Sequence, residues 1–129
     1  MNLILDNISR ISKYLFFICL IGILVVSALP RFDVESYEVS DGFTVRLDYF
    51  LHFLAYFALS AFFLLWRKDN WFSSVVLIVA AGLFIGWMTE FQQNFIPGRT
   101  YNPVDFYFNA TGAIIGVLLS RFLKILVPE

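Results

Sequence analysis

One cysteine in 129 residues rules out an internal disulfide, and no partner thiol stands at metal or redox spacing. Cys19 sits in an apolar run and reads as a small buried hydrophobe. Charge is also scarce. Asp, Glu, Lys and Arg make up 15% of the chain, and the net charge of -1 gives no basis for binding nucleic acid. Motifs for several chemistries are missing: there is no phosphate-cradling GxxxxGK[ST] loop, no HExxH, no paired CxxC and no Gly-x-Ser-x-Gly elbow. A resident cofactor or metal is therefore not expected. What is plentiful is apolar surface: 60% hydrophobic residues, 16 of them Phe, and a mean hydropathy of +0.77. Soluble domains are about 45–50% apolar, and a chain this short could not hide the excess in a core. A bilayer removes the difficulty.

Crossing the hydrocarbon takes roughly 20 apolar residues in a helix. Four runs qualify, at about 14–29, 47–66, 71–93 and 105–127, joined by 31–46, 67–70 and 94–104. Pro30 and Pro128 stand where the first and fourth runs stop, since proline cannot continue the helical ladder. No run alternates with period two, which argues against a β-barrel. The expected fold is all-α: a bundle of four transmembrane helices forming a single transmembrane domain over 1–129.

Lysine and arginine set the expected orientation. Arg10, Lys13, Arg67, Lys68, Arg121 and Lys124 lie on one side of the spans, against Arg31, Arg46 and Arg99 on the other. The first side is expected to be cytoplasmic, placing both termini inside and the acidic first loop (Asp33, Glu35, Glu38, Asp41) outside. Trp66 and Trp71 flank the short inner turn, as interfacial tryptophans do. A signal-peptide reading competes at the amino terminus, where Val26-Ser27-Ala28 resembles a cleavage site. Pro30 just beyond the cut and Asp6 in the charged region argue against it.

Ionisable groups inside a membrane cost about 2.5–3.5 kcal/mol at mid-helix, so each is a functional candidate. Asp48, His52 and Tyr56 follow at i, i+4 and i+8 on one face of the second helix. Glu90 and Gln93 lie three apart near the end of the third, Asp105 and Asn109 four apart at the start of the fourth, and the preceding loop adds Arg99. All eight fall at one depth, toward the outer side. Gly82 and Gly86 share a stripe with Glu90, and Gly112, Gly116 and Ser120 one with Asp105 and Asn109. Small residues four apart let membrane helices approach closely. Helices three and four are expected to pack tightly along these glycines and to part toward the outer face, where helix two completes a polar pocket.

The ordered set Asp48-x3-His52-x3-Tyr56, Glu90-x2-Gln93, Pro97-Gly98-Arg99 and Asp105-x3-Asn109-x2-Gly112-x3-Gly116 resembles the VanZ-like family of bacterial membrane proteins. Ser27-Ala28-Leu29-Pro30 is similar to the way that family leaves its first span, and the resemblance covers about 27–116. It implies a bacterial cytoplasmic-membrane protein of the cell envelope, associated with resistance to the glycopeptide antibiotic teicoplanin. Tyr49 stands where a lysine is common in the family. If that lysine contacts an anion, the contact passes here to Arg46.

The chemistry of the residues gives each a role to test. A carboxylate one turn away, at Asp48, can fix the tautomer of His52 as a general acid or base. Glu90 is the second proton-transfer candidate. The planar fork of Arg99 suits a phosphate or carboxylate, while Tyr56, Gln93, Asp105 and Asn109 would supply binding contacts. Membrane lipids, and lipid-linked cell-wall intermediates among them, are the expected partners. A metal held by Asp48, His52 and Glu90 would be an accident of geometry. The bland alternative is that Arg99 pairs with Glu90 or Asp105 while the amides cross-link helices. A scaffold, however, has little reason to gather costly groups at one depth. Two further readings stay open: an accessory subunit of a larger membrane complex (or a homo-oligomer), and a small transporter, which the lack of a polar path across the midplane disfavours. Ser60 lies too deep in its helix to serve as a nucleophile.

Overall fold

A computed structural model describes residues 3–30, 36–40, 43–68, 70–99 and 101–126. Asp33, Glu35 and Asp41 of the acidic loop, Arg31, Thr100 and the Pro128 stop lie outside the described residues, as does the side chain of Glu38. Four helices account for most of the fold: α1 (Leu3–Ala28), α2 (Leu47–Trp66), α3 (Trp71–Gln93) and α4 (Pro103–Leu126). All four are long and apolar enough to cross a membrane. The second and third begin and end where hydropathy places them. The first starts well before residue 14, because Asp6, Arg10 and Lys13 lower the hydropathy without breaking the helix.

Local chemistry explains the helix ends. Asn70 caps α3, its side-chain oxygen accepting from the backbone N–H of Phe72 (2.9 Å) and Ser73 (3.3 Å). Asn102 caps α4 in the same way through the Val104 N–H at 3.1 Å, with Pro103 at the first helical position. Between α1 and α2 the fold departs from pure helix. A short antiparallel hairpin, β1 (Ser36–Ser40) and β2 (Phe43–Arg46), pairs Ser36 with Arg46 and Tyr37 with Val45, and its second strand runs straight into α2.

The helices alternate in direction, so α1, α2, α3 and α4 present their ends in two sets. At one end the Ser9 hydroxyl donates to the Trp66 carbonyl (2.9 Å), Lys124 Nζ donates to the Arg67 carbonyl (2.7 Å), and Lys68 pairs with Asp6. Lys13 lies over Trp66, and Arg121 and Lys124 over Trp71. The hairpin strands and residues 94–99 and 101–102 occupy the other end.

The core runs down the middle of α2, where Leu59, Phe63 and Leu64 meet Ile78 of α3 and Ala113 of α4, with Phe16, Leu20 and Ile23 of α1 packed on the outside. Phe84, Trp87, Ile114, Leu118 and Ile125 face away from the bundle, an exposure that suits lipid. The tightest seam joins α2 to α4, not α3 to α4 as the glycine stripes suggested. A Cβ on Gly112 would run into the backbone carbonyl of Phe53, and one on Gly116 into the Phe57 carbonyl and the Ser60 hydroxyl. Ser60 itself bridges the seam by donating toward the Ala113 carbonyl at 3.0 Å. Glycine spacing reveals that a helix approaches something closely; it does not reveal which neighbour. Gly86 does lie between helices, its Cβ position 3.4 Å from the Asn109 amide and 3.5 Å from the Tyr56 hydroxyl, while Gly82 has only the Tyr56 ring at 4.0 Å.

Candidate functional site

At the hairpin end the bundle encloses a cavity of about 800 Å³. Asp48, His52, Tyr56, Gln93, Arg99 and Asp105 line it. Glu90 and Asn109 stand behind that wall, buried at 0% and 2% exposure. The structure thus brings together all eight residues singled out in the sequence, six at the surface of the cavity and two supporting them.

His52 is the centre of the arrangement. Its Nδ1 lies 2.9 Å from Asn109 Oδ1. With that amide oxygen as acceptor, Nδ1 carries the proton and Nε2 the lone pair. Nε2 sits 3.8 Å from Asp105 Oδ2, and Nδ1 sits 3.9 Å from Glu90 Oε1. Both separations exceed hydrogen-bond length. Asn102, the α4 cap, donates from Nδ2 to Asp105 Oδ1 at 3.0 Å and fixes that carboxylate. Neither Glu90 oxygen makes a hydrogen bond of normal geometry, although the charge of Arg99 and the backbone N–H of Asn102 act on it. One ligand atom each from His52, Glu90 and Asp105 falls within 4.8 Å of the others.

Asp48 does not orient His52. It pairs with Arg46, two residues earlier at the junction of β2 and α2, and Asn109 takes the tautomer-fixing place instead. The Arg46 guanidinium also lies 5.3 Å over the ring of Tyr49, which stacks on Phe108 at 5.2 Å. Arg99 arrives by a tight turn. Pro97 and Gly98 (φ 78°) occupy its middle positions, and the Arg99 N–H donates to the Ile96 carbonyl at 3.1 Å. Proline followed by a positive-φ glycine is the type II pattern. From there Arg99 donates through Nη2 to the Val26 carbonyl of α1 at 3.3 Å, rather than pairing closely with Glu90 or Asp105. Tyr56 turns its hydroxyl toward Thr89 and Gly86.

The sequence reading missed part of the wall. Cys19, Gly22, Ile23, Val26 and Ser27 of α1 line the opposite side, so the cavity is polar on the α2–α4 side and apolar on the α1 side. Nothing in α1 flags this, because lipid-facing and cavity-facing apolar residues look alike. Asn102 and Tyr101 were also passed over. Asn-Pro ahead of an apolar run is a helix-start signal that would have found the first.

The family model described as VanZ/LLP1 matches residues 2–124. The chain belongs to the VanZ/LLP1 family. No curated protein and no solved structure matches it. In this VanZ/LLP1 member, Asp48, His52, Arg99 and Asp105, which carry the family resemblance, line the cavity, and Glu90 and Asn109 stand directly behind them.

Proposed function

We propose that this multi-pass membrane protein resides in the bacterial cytoplasmic membrane, with its cavity open to the outer face, and that it binds or modifies the anionic head group of an envelope lipid, including lipid-linked cell-wall intermediates. The observation that carries the reading is the two-sided cavity of about 800 Å³, with arginines and a histidine on one wall and apolar α1 residues on the other. That division suits an amphiphile whose phosphate meets Arg46 and Arg99 while its chain lies along α1. Each arginine keeps a buried Nε without a hydrogen-bond partner. If the head group is altered as well as held, His52 is the group placed to move a proton, with Asn109 fixing its tautomer. Outward orientation is supported by the six cationic residues at the far end, against Arg46 and Arg99 among the described residues at this one.

The test is teicoplanin susceptibility of a sensitive bacterium expressing the protein, beside matched amounts of His52→Ala, Glu90→Gln and Arg99→Ala. Protection by the wild type and its loss in the variants, at equal membrane levels, is the expected result. Absence of protection would remove the resistance role, and the accessory-subunit reading would then be tested by looking for a co-purifying membrane protein.

A further inference from the structure

We infer that His52, Glu90 and Asp105 form a site for one first-row divalent cation, Zn²⁺ or Mn²⁺ in class, at the buried side of the cavity. Three helices deliver the set: His52 from α2, Glu90 from α3 and Asp105 from α4. Their ligand atoms already converge within 4.8 Å, yet the ring-to-carboxylate separations, 3.8 Å from Nε2 to Asp105 and 3.9 Å from Nδ1 to Glu90, are too long for hydrogen bonds, and Glu90 reaches the Nε2 side by turning its carboxylate. The groups point at one space without satisfying one another. Metal–ligand bonds of about 2.0–2.2 Å place neighbouring ligand atoms roughly 3.3 Å apart, so modest side-chain rotation closes the set around an ion.

Glu90 is the independent sign. It is 0% exposed and neither oxygen makes a hydrogen bond of normal geometry, so the Asn102 N–H and the charge of Arg99 compensate the buried carboxylate only in part. Charge balance agrees. Asp48 is neutralised by Arg46, which leaves Glu90 and Asp105 facing a neutral imidazole with only the single charge of Arg99 nearby. A divalent cation balances them. The surroundings match what ligating groups need. Nδ1 of His52 is occupied by the Asn109 oxygen, leaving the Nε2 lone pair toward Asp105, and Asp105 is held by Asn102. One imidazole suits Zn²⁺ and two carboxylates are ligands that both Zn²⁺ and Mn²⁺ accept, and three protein ligands leave a position open toward the cavity.

The inference does not depend on the head-group reading, because the ion is measured without any lipid ligand; with the ion bound, Nε2 of His52 is a ligand and the proton-transfer role proposed for it lapses. The full-length protein, purified in detergent, is stripped with chelator, reloaded separately with Zn²⁺ and Mn²⁺, passed through gel filtration and analysed for metal. The expected result is about one ion per chain for the wild type, with a rise in melting temperature on loading. Co²⁺ loading should give a visible absorption band that changes in Asp105→Asn. Metal content should fall at least about tenfold in Glu90→Gln and Asp105→Asn, and affinity about 10–100-fold in Asn109→Ala, which removes only the supporting contact. The near-isosteric Glu90→Gln preserves packing, and its unliganded melting temperature checks that it folds. No uptake of either ion by folded wild type, or equal uptake in wild type and Glu90→Gln, overturns the site. A protein that takes up metal but gives no protection in cells loses only the envelope role.

Discussion

Gly112 and Gly116 illustrate how much one hydrogen atom decides. A methyl group at either position meets the backbone carbonyl of α2, at Phe53 or Phe57, and backbone cannot swing aside as a side chain would. Overpacking costs typically about 1–3 kcal/mol, and more where the obstacle is rigid. Gly82 has nothing nearer than the Tyr56 ring at 4.0 Å, an ordinary contact. Gly112→Ala and Gly116→Ala are therefore expected to lower the midpoint of thermal unfolding in detergent by several degrees, with Gly82→Ala within error of wild type. Equal loss in all three would mean that helix flexibility, and not the α2–α4 seam, is what these glycines supply. The sequence marked all four as packing residues, but only coordinates separate the two that touch backbone from the two that touch side chains. The same limit applied to Asp48. Its spacing from His52 was readable, yet its pairing depends on where β2 leaves Arg46, and that is set by a hairpin and not by helical period.

Elements were read well where hydropathy alone decides them and poorly where it does not. The bounds of α2 and α3 follow from apolar runs between charged or capping residues. The hairpin went unread although Asp41-Gly42 between Tyr37-Glu38-Val39 and Phe43-Thr44-Val45 carries a known signal of alternating strands around Asp-Gly. The part played by α1 is the larger omission. It forms the apolar wall of the cavity and is held to the bundle by Phe16, whose ring lies 5.3 Å from Phe63 and 5.8 Å from Trp66. Gly22 offers a way to test that wall on its own, since a Cβ there meets nothing within 4 Å and yet the residue lines the cavity. Gly22→Leu should fill the space without straining the fold. Its unfolding midpoint should match or exceed wild type, because leucine favours helix by up to about 1 kcal/mol over glycine, while co-purified anionic lipid and protection against teicoplanin should both fall. Unchanged lipid content in a folded Gly22→Leu protein would show that the apolar wall is not where a chain lies.

Across the whole molecule, cations outnumber carboxylates at one end and carboxylates outnumber cations around the cavity at the other. One end gathers Lys13, Arg121 and Lys124 around Trp66 and Trp71, with Lys68 paired to Asp6. The other end gathers Asp48, His52, Glu90 and Asp105, with Arg46 from the end of β2 and Arg99 from the turn after α3. An insertion machinery that retains cations on the cytoplasmic side would leave the first end inside. The cost of moving charge across the bilayer makes that choice hard to reverse once four spans are placed. The orientation is therefore a single decision for the molecule, and every functional statement about an outward cavity rests on it. Cys19 is half-buried in α1 and lines the cavity, so it is first replaced by serine; in that background a thiol placed at Asn94 or Tyr101, both exposed near the cavity, reports separately from one at Lys68 at the far end. In intact cells Asn94→Cys and Tyr101→Cys should react with a membrane-impermeant maleimide, and Lys68→Cys only after lysis. The reverse pattern would turn the cavity to the cytoplasm, where the same arginines and the same carboxylates would face a different set of head groups, and the envelope reading would have to give way while the fold stayed as it is.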